Sequence, residues 1–445
     1  MLSGKEAVLN ERMCRKLIDN AEAEKRNVFL EIVYILILAA SAMGDMPNFS
    51  YTMTRVMKAI SLLVVLIGVT ILFVSGNMKR IKTGASFVGV YSFILIGIIV
   101  WSIFLWIINL ETVDFIIRGV TKFMYQFLVL LIIFAATYMF GERAIYTTFY
   151  GLALANTMML TINLGIYGPA ESLNSILAMF QGAEAQEGFA RAMEIHDITF
   201  TYGFFIIYFL FFAQHNKERI IGIVVAAFYF ILGWKRIALG ALPAAIFFAL
   251  IMGRMKSKTR IRLMMFFAWT FVILSFAYVV ITRVGLFDTI TEYFNIDTMG
   301  RSEVYKYIEK YYTISLGFIG YGFEYTTVIL QQVSQANPEA HIGVVALHNN
   351  ILTLYIELGF VGFWAWMLYT WIFQLRWILN HWGEKTAMLF FFCEMYIFIT
   401  YTTDNTLYYY YTSLVLRLLP MAYAFHKPTT QDIRLWPWLR VQKIT

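Results

Sequence analysis

His348 is the residue with the clearest chemical potential, since it stands in the polar triplet His348-Asn349-Asn350 at the head of an apolar stretch, ALHNNILTLYIELGFVGF. Histidine titrates near neutral pH without help, so one that faces a cavity can act as a general base. The competing interpretation is a polar residue that only caps the start of a helix. The triplet closes a long polar segment in an apolar chain, which marks where chemistry could happen, and the cations nearby strengthen the catalytic interpretation.

Several cations accompany this histidine. Arg236 belongs to a very short connection, Trp234-Lys235-Arg236, between two apolar stretches, where a guanidinium is costly unless it binds an anion. Arg301 opens a helical piece, 302–312, and its fork could bind phosphate through two hydrogen bonds. Arg118 and Lys122 are four residues apart and share a helical face. Contact with lipid headgroups is the alternative explanation for all of these cations.

Glu357 is a carboxylate within the apolar stretch that follows His348. It lies seven residues past Asn350, hence on nearly the same helical face, whereas an ideal helix puts it opposite His348. We therefore expect packing or hydrogen bonding there, and we expect Gly359 and Gly362 to permit close helix contact. The glycines of SLGFIGYGFEY indicate turns, and we prefer this interpretation to a phosphate-binding loop.

The elements that must position these residues are membrane helices. Hydrophobic residues make up 60% of the chain, charged residues only 14%, and the mean hydropathy is +0.66. Apolar windows of about 20 residues predict an all-α, polytopic bundle of about 12 transmembrane helices without a sheet in the membrane part. These windows begin near Val28, Val56, Phe87, Val120, Ile145, Ile198, Ile220, Ile237, Leu263, Val345, Ala387 and Leu407.

The predicted organisation has one bundle interrupted by a large loop between the ninth and tenth spans. Residues 1–27 form a cytoplasmic tail, 28–282 the first nine spans, 283–346 an extracytoplasmic loop with short helices, 347–426 the last three spans and 427–445 a second cytoplasmic tail. Most of the 35 lysines and arginines fall on one side of this arrangement, which places both termini in the cytoplasm.

The net charge of +7 describes flanks drawn to anionic membrane lipids and does not indicate nucleic-acid binding. The two cysteines, Cys14 in the first tail and Cys393 in an apolar span, are not expected to form a disulfide or a metal site.

The order of these motifs resembles the O-antigen polymerase and O-antigen ligase superfamily, which includes Wzy-type capsule and exopolysaccharide polymerases. The resemblance rests on Arg236 in its short hairpin, Gly300-Arg301, GYGF at Gly320–Phe323, and HNNILTLYIELGFVG. It covers roughly residues 232–363. The chain departs from the family at Lys235, where a small hydroxyl residue is common.

The resemblance implies a bacterial multi-pass enzyme of the cytoplasmic membrane whose active face is extracytoplasmic. It would polymerise O-antigen, capsule or exopolysaccharide from undecaprenyl-diphosphate-linked oligosaccharide units without metal or cofactor. His348 would activate the acceptor hydroxyl, while Arg236 and Arg301 would hold the donor diphosphate. The full set of residues expected to bind diphosphate or sugar is Arg236, Arg301, Lys235, Arg118, Asn349 and Tyr321.

Two other functions remain open. A ligase that transfers finished polymer to lipid or protein would use the same residues on a different acceptor. A flippase or transporter of lipid-linked oligosaccharide would also suit a dozen spans, but such carriers show paired halves and charges at the membrane midplane. The membrane lipids are expected partners in each case, and a polysaccharide chain-length regulator is a further candidate.

Overall fold

The computed structural model describes residues 27–46, 49–180, 188–214, 216–295, 300–336 and 347–425. Within these ranges the regular structure is helical and no strand occurs, so the prediction of an all-α protein is confirmed. The predicted tails lie outside the described residues apart from Asn27. The α-helices, in chain order, are α1 Val28–Ala42, α2 Tyr51–Ile60, α3 Leu62–Ser75, α4 Met78–Ile108, α5 Val113–Phe140, α6 Arg143–Tyr167, α7 Pro169–Phe180, α8 Phe189–Met193, α9 His196–Phe211, α10 Lys217–Leu232, α11 Arg236–Gly253, α12 Ser257–Arg283, α13 Leu286–Tyr293, α14 Arg301–Ile308, α15 Tyr325–Ala336, α16 Asn350–Leu368, α17 Leu375–Thr400 and α18 Tyr410–Tyr423.

Eight helical stretches of the described chain are long and apolar enough to cross a membrane. One of them, Asn350–Thr400, runs for 51 residues through α16, a π-helical turn at Tyr369–Gln374 and α17. The count of 12 stays a prediction, because α9, α10 and α18 have only 14 to 16 residues, against the about 20 that a straight span requires. The eight stretches are Val28–Asp45, Thr52–Ser75, Arg80–Ile108, Phe115–Phe140, Arg143–Tyr167, Arg236–Gly253, Ser257–Arg283 and Asn350–Thr400.

Helix α9 is buried from Asp197 to Phe209 and packs against α10 and α18. Lipid gives helices no hydrophobic reason to associate, so tight packing must hold them together. Gly203 shows how tight it is: a Cβ there would lie 2.3 Å from Cζ of Tyr396 on α17. The hydroxyl of Tyr396 also donates a hydrogen bond to the carbonyl of Phe200, 3.1 Å away.

Segments predicted for the same side of the membrane meet at the same end of the bundle. At one end, which holds segments predicted to be cytoplasmic, Arg143 binds Glu218 with an Nη1 to Oε2 distance of 2.5 Å. At the other end, Lys58 Nζ lies 2.9 Å from Asp45 and 3.5 Å from Asp197. We call the end that contains Lys58 the polar-loop end, because His348 and the long polar loops are predicted for the same side of the membrane as Lys58.

Three short helices, α13, α14 and α15, connect α12 to α16 at the polar-loop end. The predicted helical piece 302–312 corresponds to α14, which Arg301 begins, followed by a 3-10 turn at Glu309–Tyr311. Lys306 Nζ is 3.1 Å from Asp288 Oδ2, which ties α14 to α13. Residues 296–299 and 337–346, including His341, lie outside the described part.

Candidate active site

Helix α16 begins at Asn350 because the residue before it caps the helix. The Asn349 side-chain oxygen accepts a hydrogen bond from the Leu352 amide at 3.0 Å, which satisfies one of the donors at the helix start. The predicted span start near Val345 lies outside the described residues, and Leu347 to Asn349 are not helical. His348 precedes the cap with φ +49°, a left-handed conformation that is uncommon for non-glycine residues.

Asn349 is completely buried, and its whole side chain is used inside the protein. Its amide nitrogen donates hydrogen bonds to the hydroxyls of Tyr278 and Tyr305, both at 2.9 Å. Together with the cap bond, these contacts occupy both amide hydrogens and the oxygen. Asn349 therefore positions the backbone that carries His348, and the prediction that it binds substrate stays a prediction.

Asp404 faces His348 from the loop between α17 and α18. Its Oδ1 lies 3.9 Å from His348 Nδ1, and the carboxylate is 9% exposed whereas the imidazole is 39% exposed. The same oxygen accepts hydrogen bonds from the Tyr409 hydroxyl at 2.8 Å and the Asn405 amide at 2.7 Å. A fixed carboxylate beside a histidine can orient the ring and stabilise its protonated form.

Asn350 holds that loop against α16. Its amide donates to the Tyr401 carbonyl at 2.8 Å, and its side-chain oxygen accepts from the Leu407 amide at 3.0 Å. Each asparagine of the triplet thus binds a different part of the protein, and only the histidine keeps an accessible side chain.

Arg301 lies next to this pair. Its Nη2 donates to the carbonyl of Thr403, 3.2 Å away, which puts the guanidinium beside the residue that precedes Asp404. Burial raises the pKa of the nearby Tyr305 hydroxyl above its ordinary value, against the opposing effects of Asn349, Tyr278 and the Arg301 charge. Tyr305 is therefore a neutral hydroxyl in the working pH range.

The short hairpin before α11 presents its two cations differently. Lys235 is buried, and its Nζ lies 2.5 Å from Glu194 Oε1. Burial lowers the pKa of Lys235, while the charges of Glu194 and Asp404 oppose that change. Arg236, the first residue of α11, has an exposed side chain. Lys235 is thus turned into the protein, whereas Arg236 is not.

Glu357 is enclosed within the protein, where it joins three elements. Its Oε1 accepts hydrogen bonds from the Thr326 hydroxyl at 2.7 Å and the Thr326 amide at 3.3 Å. The Tyr408 hydroxyl donates to Oε2 at 3.3 Å. These contacts make Glu357 a structural carboxylate that fastens α15 and the loop after α17 to α16.

The helix that carries Glu357 is broken at Gly359, which has φ +69°. The GYGF segment fills the break: the Gly322 amide donates to the Glu357 carbonyl at 2.8 Å, and the Phe360 amide donates to the Phe318 carbonyl at 2.7 Å. A non-helical backbone at membrane depth is tolerated where protein covers it. The expected close helix contact at Gly359 is therefore a contact with loop backbone.

Gly362 makes room for Trp101 of α4. A Cβ at this position would lie 3.2 Å from the Trp101 indole nitrogen, which donates to the Leu358 carbonyl at 3.0 Å. This contact satisfies another carbonyl of the broken helix.

Tyr321 belongs to an aromatic cluster on the loop helices. Its ring stacks on Tyr325 with a centroid distance of 4.1 Å and an interplanar angle of 12°, and Tyr325 meets Tyr311 edge to face. All three rings are partly exposed. Such flat amphipathic surfaces suit sugar rings, but they also suit a membrane interface.

Arg118 lies apart from His348, on the wall of a cavity of about 920 Å³ between α2, α5 and α15. Its Nη1 donates to Gln331 Oε1. Lys122, which the sequence places on the same face, binds Glu324. A smaller cavity of about 350 Å³ shares Lys58, Tyr408 and Tyr410 with the large one.

The smaller cavity leads back toward the histidine. Glu194 and Tyr409 both line it, and these residues bind Lys235 and Asp404, respectively. The smaller cavity is therefore bordered by the partners of both Lys235 and Asp404.

Asp404, Tyr278 and Lys58 belong to the candidate site and were not predicted from the sequence. A signal for Asp404 exists, because the polar run Thr402-Thr403-Asp404-Asn405 separates two apolar stretches. Tyr278 carries no such signal among the 28 tyrosines of the chain.

The arrangement offers a histidine with a carboxylate behind it and cations on neighbouring elements, which suits removal of a proton next to a developing anion. Within the described ranges, no group of three or more histidine, cysteine or acidic side chains could hold a metal ion. No protein-family model and no curated protein sequence matches this chain.

Proposed function

We propose that the chain is a membrane glycosyltransferase that polymerises a cell-surface polysaccharide from undecaprenyl-diphosphate-linked repeat units. The observation that carries the proposal is the 3.9 Å approach of His348 Nδ1 to Asp404 Oδ1, with Arg301 bound to the adjacent Thr403. In this proposal His348 is the general base and Asp404 orients it. Arg301 supplies a positive charge beside Thr403, the residue that precedes Asp404.

In the proposed reaction, His348 accepts the proton of an acceptor hydroxyl while the hydroxyl oxygen bonds to the anomeric carbon of the donor. The bond between that carbon and the diphosphate oxygen breaks, and the diphosphate leaves with the electron pair. Arg301 and Arg236 stabilise the charge that grows on the leaving group. Attack from the side opposite the diphosphate inverts the configuration of the anomeric carbon.

We further propose that the polar-loop end faces the outside of a bacterial cytoplasmic membrane, with both termini in the cytoplasm. The bias of lysine and arginine toward segments of the opposite end supports this orientation. A lipid-linked substrate would then reach the site from the outer leaflet.

Purified full-length chain in lipid nanodiscs, incubated with an undecaprenyl-diphosphate-linked repeat unit, tests the proposal. The expected product is a ladder of lengths on the carrier lipid. A single transfer of finished polymer to another lipid or to protein would identify a ligase instead. No glycosidic product with the authentic unit would overturn the assignment to glycosyl transfer.

A further inference from the structure

A third, small cavity lies inside the helix bundle, and neither His348 nor Asp404 lines it. We call it the inner cavity. Its volume is about 60 Å³, and its wall includes residues of α4, α5, α16, α17, α18 and the π-helical turn at Tyr369–Gln374. Polar side chains from five of these elements take part, among them Tyr91, Gln126, Thr370, Gln374, Glu394 and Arg417.

Glu394 and Arg417 are the charged residues of this wall. Arg417 lies seven residues after Tyr410, where α18 begins, and Glu394 lies six residues before Thr400, where α17 ends. Each is therefore about 10 Å from the polar-loop end of its helix. Ionisable residues at such depth in a membrane bundle are rare and usually serve a function.

The contacts of these two residues leave their charges apart. Arg417 Nη1 donates a hydrogen bond to the neutral Oε1 of Gln126, 2.7 Å away. Its guanidinium carbon lies 5.9 Å from the centre of the Tyr91 ring. Within the described ranges, neither Arg417 nor Glu394 belongs to a salt bridge. The carboxylate must therefore be stabilised in another way.

Two groups on the wall lack a hydrogen bond to the described part of the chain. Glu394 is only 5% exposed, yet its carboxyl group has no such bond. The hydroxyl of Tyr91, which is also buried, has none either. Ordered water satisfies most buried polar groups, and a carboxylate can also take up a proton. A water molecule requires roughly 10–15 Å³ of cavity volume, so the inner cavity has room for several.

The π-helical turn adds polar groups on the side of α16 and α17 that faces this cavity. Thr370 and Gln374 both belong to the turn and both line the wall. Such turns are rare, and they occur frequently at functional sites. Close packing of membrane helices does not require a glutamine here, whereas hydrogen bonding to enclosed water does.

The inner cavity adjoins the large cavity that Arg118 lines. Gln126, Phe323 and Tyr408 border both cavities. The large cavity is also lined by Lys58 and therefore lies at the polar-loop end. The two cavities meet at the three shared side chains, which gives water and protons a short path to Glu394.

The charge that faces Glu394 across the cavity is that of Arg417, because tyrosine and cysteine are neutral near pH 7. None of the described residues of α9, α11 or α12, which also pack against α17, lines this cavity. The titratable groups around Glu394 are its neighbour Cys393 and, across the cavity, Tyr91, Tyr401, Tyr408 and Arg417.

Size and charge limit what the inner cavity can bind. Sites for drug-sized molecules usually have about 300 Å³ or more, so a lipid or a sugar does not fit. The positive charge of Arg417 on the same wall opposes a metal cation. Water and a proton on the carboxyl group of Glu394 remain as ligands.

We propose that the inner cavity is a hydrated proton-binding site in the membrane interior. A proton passes from water to a carboxylate oxygen of Glu394, which becomes a neutral acid, and it returns to water when the carboxylate forms again. Arg417 stabilises the charged form. The inference concerns proton binding alone, so it does not depend on the proposed glycosyl transfer.

Infrared spectroscopy of the full-length chain in lipid nanodiscs tests the site, because a neutral carboxyl group has a carbonyl stretch that the ionised form lacks. The pH is varied over the range in which the protein stays folded, and the spectrum of Glu394→Gln is subtracted from that of the wild type. We expect a carbonyl band that disappears as the pH rises. Its frequency should shift in heavy water, because the proton exchanges with the solvent.

Glu384→Gln is the matched control, because Glu384 lies on the same helix but binds Arg260 outside the cavity. This variant should keep the band. Arg417→Gln should move the midpoint of the titration to a higher pH by about one unit or more, since the carboxylate loses a nearby positive charge. An unchanged midpoint would remove Arg417 from the site.

Glu394→Asp serves if the glutamine variant does not fold. It keeps a carboxyl group and should keep a pH-dependent band at a different frequency from the wild type. The absence of any pH-dependent carbonyl band assigned to Glu394, or a band that does not shift in heavy water, would overturn the proposal.

Discussion

Gly320 and Gly359 face each other backbone to backbone: a Cβ at Gly320 would lie 2.4 Å from the Gly359 amide nitrogen, and a Cβ at Gly359 would lie 2.1 Å from the Ile319 carbonyl carbon. Both glycines have positive φ, +84° and +69°. The loop that precedes α15 thus replaces a missing turn of α16, which fixes the direction of the helix that begins beside His348.

Gly359→Ala should destabilise the protein by more than about 2 kcal/mol, because the new methyl group meets backbone that cannot move aside and the left-handed φ adds strain. Gly383→Ala is the matched control, since Gly383 breaks α17 with φ +83° but has nothing within 4 Å of its Cβ position. Thermal unfolding in detergent should show a clearly larger loss for the Gly359 variant. Equal losses would mean that the contact with Ile319 does not matter.

Asn349→Ala should reduce stability and activity together. The change removes a helix cap, which costs about 1 kcal/mol, and leaves the hydroxyls of Tyr278 and Tyr305 without that partner at roughly 1 kcal/mol each. Asn216→Ala removes only a cap, the bond to the Arg219 amide. Its effect on the melting temperature should be smaller, and its product yield should match the wild type. A fully stable but inactive Asn349 variant would instead favour direct contact with substrate.

Asp404→Asn should slow product formation by about tenfold or more, because the carboxylate no longer supports the protonated imidazole of His348. Asp404→Glu keeps the charge and should restore part of the rate. Asp288→Asn, which removes the carboxylate that binds Lys306, serves as the control and should leave the rate unchanged. Identical rates for the Asn and Glu variants would show that the charge of Asp404 has no part in the reaction.

Lys235 gives a pH-dependent signature. Its folded-state pKa is lowered below the ordinary 10.5 by burial, so the unfolded chain binds the proton more tightly and stability rises with pH below that value. The melting temperature of the wild type relative to Lys235→Met should therefore increase as pH rises from neutral toward 10. Lys306 has a raised pKa from its bond to Asp288, so Lys306→Met should show no such increase. A constant difference for Lys235→Met would contradict its burial.

The sequence predicts much of the fold because membrane burial leaves a strong pattern: apolar windows, an all-helical chain and the short helix that Arg301 begins can all be found in it. The partners of His348 cannot be found in the same way. The loop that carries Asp404 is held beside the histidine by the bonds of Asn350 to Tyr401 and Leu407, and these contacts join segments far apart in the chain.

The sequence predicts close helix contact at Gly359 but not the break in the helix, for a related reason. A glycine in an apolar helix permits close packing, and it also permits positive φ, and the sequence does not distinguish the two. The choice depends on whether the GYGF segment reaches the helix, which is a tertiary contact.

The most direct test of the account compares His348→Ala with His381→Ala in the repeat-unit assay. His381 is an exposed histidine whose Nδ1 lies 2.8 Å from the Trp377 carbonyl of its own helix, so its variant controls for loss of a histidine as such. With expression and melting temperature matched, His348→Ala should abolish chain extension, and His381→Ala should give the wild-type ladder. A normal ladder of long products from His348→Ala would contradict the central claim.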